Sequence, residues 1–137
     1  MMRKRLLLLV YTLLTLSVAD AQKAVIEESV VDVECMSPTH VVKHFREVTT
    51  ILSEQGASLA TFVCSCSKND KLTSFKGVVS DATGRVIRKL KESELQKTEY
   101  SPYLAIDDYR MFLDYTPPVY PITISYEWTI ESRDNLS

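Results

Sequence analysis

The side chains best suited to chemistry in this sequence are three thiols and two imidazoles: Cys35, Cys64 and Cys66, with His40 and His44. The two histidines stand four apart, a spacing that puts both on one face of a β-strand, where Cys35 could join them as a third metal donor. That spacing matches none of the paired C-x2-C or H-x3-H sets that mark small zinc sites, so we read an ordinary surface or half-buried pair and assign no metal ligand. Thiol catalysis needs a Cys, an imidazole within hydrogen-bond reach, and a group that orients the imidazole. Cys64 or Cys66 with His44 and an Asp supplies the residue types but no local nucleophile signature. The sequence therefore assigns no catalytic residue and no cofactor.

Aromatic side chains form the second cluster. Six of the seven tyrosines fall between positions 100 and 126, at Tyr100, Tyr103, Tyr109, Tyr115, Tyr120 and Tyr126, with Trp128 close behind. Rings with polar tips can build a platform for a glycan or peptide, and Tyr109, Tyr115, Tyr120, Tyr126 and Trp128 are the candidate ligand face. Alternating aromatics on neighbouring strands more often serve cross-strand and inter-sheet packing. Arg85, Arg88, Lys89 and Lys91 make a small basic cluster, best read as charge guarding a strand edge. Asn135-Leu136-Ser137 fits a glycosylation sequon, a three-residue match to which no role is given.

The elements that must position these groups fit in one domain. The chain has 137 residues, 45% apolar and 25% charged, with a net charge of −2. Those are globular proportions, and the weak negative balance argues against a nucleic-acid partner bound through phosphate neutralisation. Three glycines occur, where average usage of about 7% would give roughly ten, so a Gly-rich phosphate loop is not expected.

Residues 1–21 read as a secretory signal: basic Arg3, Lys4 and Arg5, an apolar run from Leu6 to Leu16, then Ala19-Asp20-Ala21 as an A-x-A cleavage site. The run is too short to span a bilayer, and no later run is long enough, so no integral membrane segment is expected in the mature chain. Cleavage near Ala21 removes Arg3, Lys4, Arg5 and Asp20, moves the net charge from −2 to −4, and places residues 22–137 in the periplasm or outside the cell. An odd count of cysteines in an exported chain leaves at least one thiol free or intermolecular. Cys64 and Cys66 would close a very small strained ring, so Cys35 with either partner is the expected disulfide.

Hydrophobic alternation favours β-structure through the mature chain. Tyr120, Ile122, Ile124, Tyr126, Trp128 and Ile130 recur at period two, a strong strand signal. Tyr109, Met111, Leu113 and Tyr115 predict another strand, separated from the first by Pro117-Pro118. Phe75 to Leu90 reads as a hairpin around Asp81-Ala82-Thr83-Gly84, and Ser93 with Gln96 fits a capping box opening a short helical turn. Residues 24–35 are a strand candidate, Glu54-Gln55-Gly56 a turn. Residues 40–52 fit a helical stripe by Val41, Phe45, Val48 and Leu52 but a strand by their β-branched content.

The run from Val78 to Leu95, with Thr98-Glu99-Tyr100-Ser101 and Leu104-Ala105-Ile106-Asp107-Asp108-Tyr109 after it, resembles a known family. Val48-Thr49, Leu52-Ser53-Glu54-Gln55-Gly56 and the stretch Tyr120 to Trp128 agree with it in order and spacing. The family is the N-terminal β-rich domain of unknown function that precedes transglutaminase-like domains in exported bacterial proteins. The resemblance implies a mostly antiparallel β-sandwich with one or two short helical turns, in which residues 40–52 form a strand. It implies no activity for this domain, the chemistry belonging to a downstream papain-like Cys-His-Asp domain, and residues 22–137 would be a truncated copy, incomplete at the C-terminus.

Two functional classes follow. One is an exported accessory domain that folds against a transglutaminase-like domain and turns over nothing itself. The other is an envelope binding module that uses the Tyr/Trp-rich face for a glycan or peptide. An incomplete sandwich would also leave the 120–130 strand or its neighbour as an unpaired apolar edge and promote self-association.

Overall fold

The computed structural model describes residues 23–99 and 108–133. The signal segment 1–21, Tyr100, Tyr103 and the Asn135 sequon lie outside the described residues.

Alternating β-branched and aromatic residues put most of the described chain into strands, in two antiparallel sheets. The strands are β1 (Ala24–Ser37), β2 (His40–Ile51), β3 (Phe62–Cys66), β4 (Asp70–Asp81), β5 (Val86–Lys91), β6 (Gln96–Glu99), β7 (Tyr109–Leu113) and β8 (Ile122–Arg133). The larger sheet has the order β1-β2-β8-β4-β5, and the smaller the order β3-β7-β6. Residues 40–51 are strand throughout, as the resemblance implied. The helical stripe arose because β2 lies between two strands and carries apolar side chains on both faces.

The period-two run of β8 builds the core. Ile122, Ile124, Tyr126, Trp128 and Ile130 share the inner face, and the ladder sets Ile51, Thr49, Glu47, Phe45 and Lys43 of β2 opposite them in turn. On its other side β8 meets Val79, Gly77 and Phe75 of β4, opposite Ile124, Tyr126 and Trp128. Ile51, Ile122, Ile124 and Val79 are completely buried. Phe62 and Leu113 of the small sheet close over them, so the small sheet covers β8 and β4.

The expected free edge at 120–130 is not where the sheet ends. β8 is the central strand, paired on both sides, and among the described residues the edges are β1 and β5. The basic residues Arg88, Lys89 and Lys91 do lie on the edge strand β5. β7 and β8, consecutive in the chain, belong to different sheets.

Tight turns are fixed by side-chain oxygens. The Asp81 carboxylate accepts hydrogen bonds from the Thr83 hydroxyl at 2.6 Å and from the backbone N–H groups of Thr83 and Arg85 at 2.9 and 3.1 Å. Gly84 supplies the left-handed residue of this loop at φ 87°. The short 3-10 turn at Glu92–Glu94 opens two residues earlier than expected. Glu94, not Gln96, reaches back to the Lys91 N–H at 2.7 Å, so Lys91 holds the cap position assigned to Ser93. A second 3-10 turn, Glu54–Ala60, follows β2 and replaces the simple turn expected there. Its Gly56 lies so close to the chain that a Cβ would stand 2.1 Å from the Lys23 carbonyl oxygen.

Candidate functional site

The inner face of the large sheet is covered unevenly. Over β8 and β4 it is filled by an aromatic cluster: Phe62 packs against Phe75, Tyr126 and Trp128 with ring centroids 4.7, 5.5 and 4.9 Å away. Trp128 also lies flat on Phe45, its cross-strand neighbour, at 5.1 Å and an interplanar angle of 3°. Beyond Phe45 the ladder continues to Val31, and beyond Lys43 to Val33. These two valines share the core-side face yet are 52% and 56% exposed, and Ile26 on the same face is 49% exposed. An apolar shelf of Ile26, Val31 and Val33 thus runs outward from the Phe45–Trp128 stack.

The five aromatic residues of the candidate ligand face divide between core and rim. Tyr126 is buried and its hydroxyl donates to the Ala60 carbonyl, which ties the Glu54–Ala60 turn to β8. Burial pushes its phenol well above the ordinary value. Tyr115 and Tyr120 are half-buried against the core, and burial also raises Tyr115. Tyr109 stands on β7, with the Lys97 ammonium 4.3 Å above its ring, and burial and then the neighbouring Cys66 raise its phenol above the ordinary value. Of the five, Trp128 alone borders the exposed shelf.

The opposite, outer face carries a polar groove across β1, β2, β8 and β4. Arg46 lies 3.7 Å from Glu28 and 3.5 Å from Glu127, and Lys76 reaches Glu127 at 3.1 Å. His44 Nδ1 hydrogen-bonds Thr129 at 3.0 Å, and the Ser74 hydroxyl donates to the same Thr129 at 2.9 Å. These groups satisfy one another, and as exposed pairs each contributes little.

The thiols and imidazoles do not assemble as a single centre. The ladder pairs Cys35 with Val41 on the inner face, whereas His40 and His44 project from the outer face of β2. His40 is engaged by Glu131 at 2.5 Å. Cys64 and Cys66 are on β3 in the other sheet, so His44 is no partner for either. The expected bridge from Cys35 is not formed either: all three thiols are free, and those brought together are Cys64 and Cys66, with sulfurs 3.7 Å apart. Burial and the neighbouring Cys66 push the Cys64 thiol up to about 12, which leaves it a poor nucleophile.

Sequence reasoning did not single out Phe45, Val31 and Val33 as a surface. Their alternation with Asp32 and Glu34 marks one apolar face, but nothing local tells whether a second layer covers it.

Two partly stacked antiparallel sheets with a core between them define a β-sandwich-like domain. The chain belongs to the DUF3857 family, a domain of unknown function with solved structure, whose pattern matches residues 37–136. The fold is also similar to that of a candidate protease from Parabacteroides distasonis, with a TM-score of 0.71, 10% identity and 85% of this chain covered. The chain spans 24% of that protein's length. No curated protein matches the chain.

Proposed function

We propose that this domain is an exported, non-catalytic accessory module of a transglutaminase-like, papain-like cysteine protease protein, seated against a neighbouring domain through the inner face of β1 and β2. The observation that carries the reading is the apolar shelf of Ile26, Val31 and Val33, which continues the core face and stays half-exposed among the described residues. Covering a half-exposed valine contributes about 1 kcal/mol, so such a shelf favours a permanent neighbour over open solvent. The likeness in fold to about a quarter of a candidate protease fits a module within a larger assembly. The signal segment supplies the export.

A photo-crosslinker in place of Val33, in the chain expressed in its own cells, tests the docking. Crosslinks to a Cys-His-Asp domain, lost on Val31→Asp with the fold intact, are expected. Absence of such a crosslink, or peptide hydrolysis by the purified chain alone, overturns the reading.

A further inference from the structure

The inner face of the small sheet holds a group of soft sulfur donors that the docking role does not use. Cys64 and Cys66 are alternate residues of β3 and point to the same side, together with the core residue Phe62. Their sulfurs are 3.7 Å apart. Alternate residues of an extended strand hold their Cβ atoms too far apart for a disulfide, which requires Cβ atoms about 3.8 Å apart. A single metal ion bridges the gap without moving the strand. With metal–sulfur bonds of about 2.3 Å, a sulfur separation of 3.7 Å corresponds to an S–metal–S angle of about 107°.

A third sulfur-bearing residue lies opposite them in the ladder. Met111 of β7 is directly opposite Cys64 in the ladder and on the same face. Directly opposed residues have Cβ atoms about 5 Å apart, within reach of a flexible thioether. Tyr109, opposite Cys66, carries the Lys97 ammonium over its ring. Cys66 is 3% exposed, and the half-buried Cys64 gives the route from solvent. Two thiolates and a thioether in a largely apolar setting disfavour the hard cations, and three sulfur donors fall one short of the tetrahedral set that structural zinc takes, which favours a soft monovalent ion.

We propose that Cys64, Cys66 and Met111 form a binding site for one copper(I) ion. Both S–H bonds break on binding and the two protons pass to solvent, so the product is an anionic bis-thiolate copper(I) complex with no change of oxidation state. Lys97, held beside Tyr109, offsets the single negative charge that results. Because two protons are released per ion, apparent affinity rises about 100-fold per pH unit while both thiols are protonated in the free protein.

The test is anaerobic titration of the full chain with copper(I) against a chromogenic copper(I) chelator, with X-ray absorption on the loaded protein. The expected result is one ion per chain with sulfur neighbours near 2.3 Å. Cys64→Ser and Cys66→Ser should each lower the affinity by at least 100-fold, Met111→Leu by about 10-fold, and Cys35→Ser should change nothing. Circular dichroism of each variant separates loss of the site from loss of the fold. Loss of the ion to the chelator at stoichiometric levels, a dependence on Cys35, or no effect of Met111→Leu in a folded variant overturns the assignment. None of these outcomes depends on the docking role proposed above.

Discussion

Gly77 is where the Tyr126 ring lies closest against its neighbouring strand in the large sheet, and Gly77→Ala measures that approach. A Cβ at Gly77 would stand 3.0 Å from the Cβ of Leu90 and 3.0 and 3.1 Å from Cε1 and Cδ1 of Tyr126, its cross-strand neighbour. Ordinary contact begins near 3.4 Å, so either the ring or the β5 backbone must give. The ring is poorly placed to do so, because its hydroxyl is bonded to Ala60 and its faces meet Phe62 and Phe75. Overpacking of this kind costs about 1–3 kcal/mol. Alanine recovers about 0.5–1 kcal/mol through the smaller backbone entropy of the unfolded chain. The net loss is therefore about 1–2 kcal/mol, which for a domain of this size lowers Tm by roughly 5–12 °C. Differential scanning calorimetry on the wild type, Gly77→Ala, Tyr126→Leu and the double variant reads it. In the Tyr126→Leu background, where the ring is gone, Gly77→Ala should be close to neutral. An unchanged or raised Tm for Gly77→Ala, or strict additivity of the two substitutions, refutes the close approach of ring and glycine.

Two further outcomes follow from the turns and surface carboxylates. Gly84→Ala meets no atom within 4 Å but must hold φ 87°, so it should cost about 1 kcal/mol through backbone strain, and Gly84→Asn less; urea midpoints of the two variants check the order. Three exposed carboxyls are held below their ordinary values: Asp81 chiefly by the Thr83 hydroxyl, Glu94 by the Lys91 N–H and then Arg88, Glu131 by Arg133 and then His40. A carboxyl whose folded pKa is depressed contributes stability above its unfolded pKa and loses it as pH falls through the folded one. Urea midpoints should therefore fall as pH drops below the ordinary values of 3.8 for Asp and 4.5 for Glu. The combined variant Asp81→Asn, Glu94→Gln, Glu131→Gln should flatten that fall, and an unchanged slope would discount these contacts.

Much of the large sheet was readable because its strands alternate. Ile122 to Ile130 marked β8, Val25 to Val33 marked β1, and Asp81 to Gly84 marked the β4–β5 loop, each by a pattern confined to a few neighbouring residues. The small sheet was harder to see. β6 is Gln96–Glu99, four polar residues without alternation, and β3 is five residues long with its cysteines as the main inward signal. The candidate site was less legible still, since whether a ring such as Tyr126 or Trp128 is core or surface depends on which strands lie above it. The distances from Cys35 to the other thiols, and the separation of Cys35 from the histidines across the sheet, likewise follow from strand order, which no local pattern encodes.

The position of β8 at the centre of the large sheet also governs when this domain can form. The β1–β2 and β4–β5 hairpins are local and can pair early, but an isolated two-stranded hairpin is only marginally stable in water. Each presents an inner strand, β2 or β4, whose other side is filled only by β8, the last of the described strands. The two halves therefore have no common core until residues 122–133 slot between them, some seventy residues after β2 ends. Folding waits on a non-local strand insertion, a topology that is intrinsically slow, and a nascent chain with this order stays open until residues 122–133 have been made.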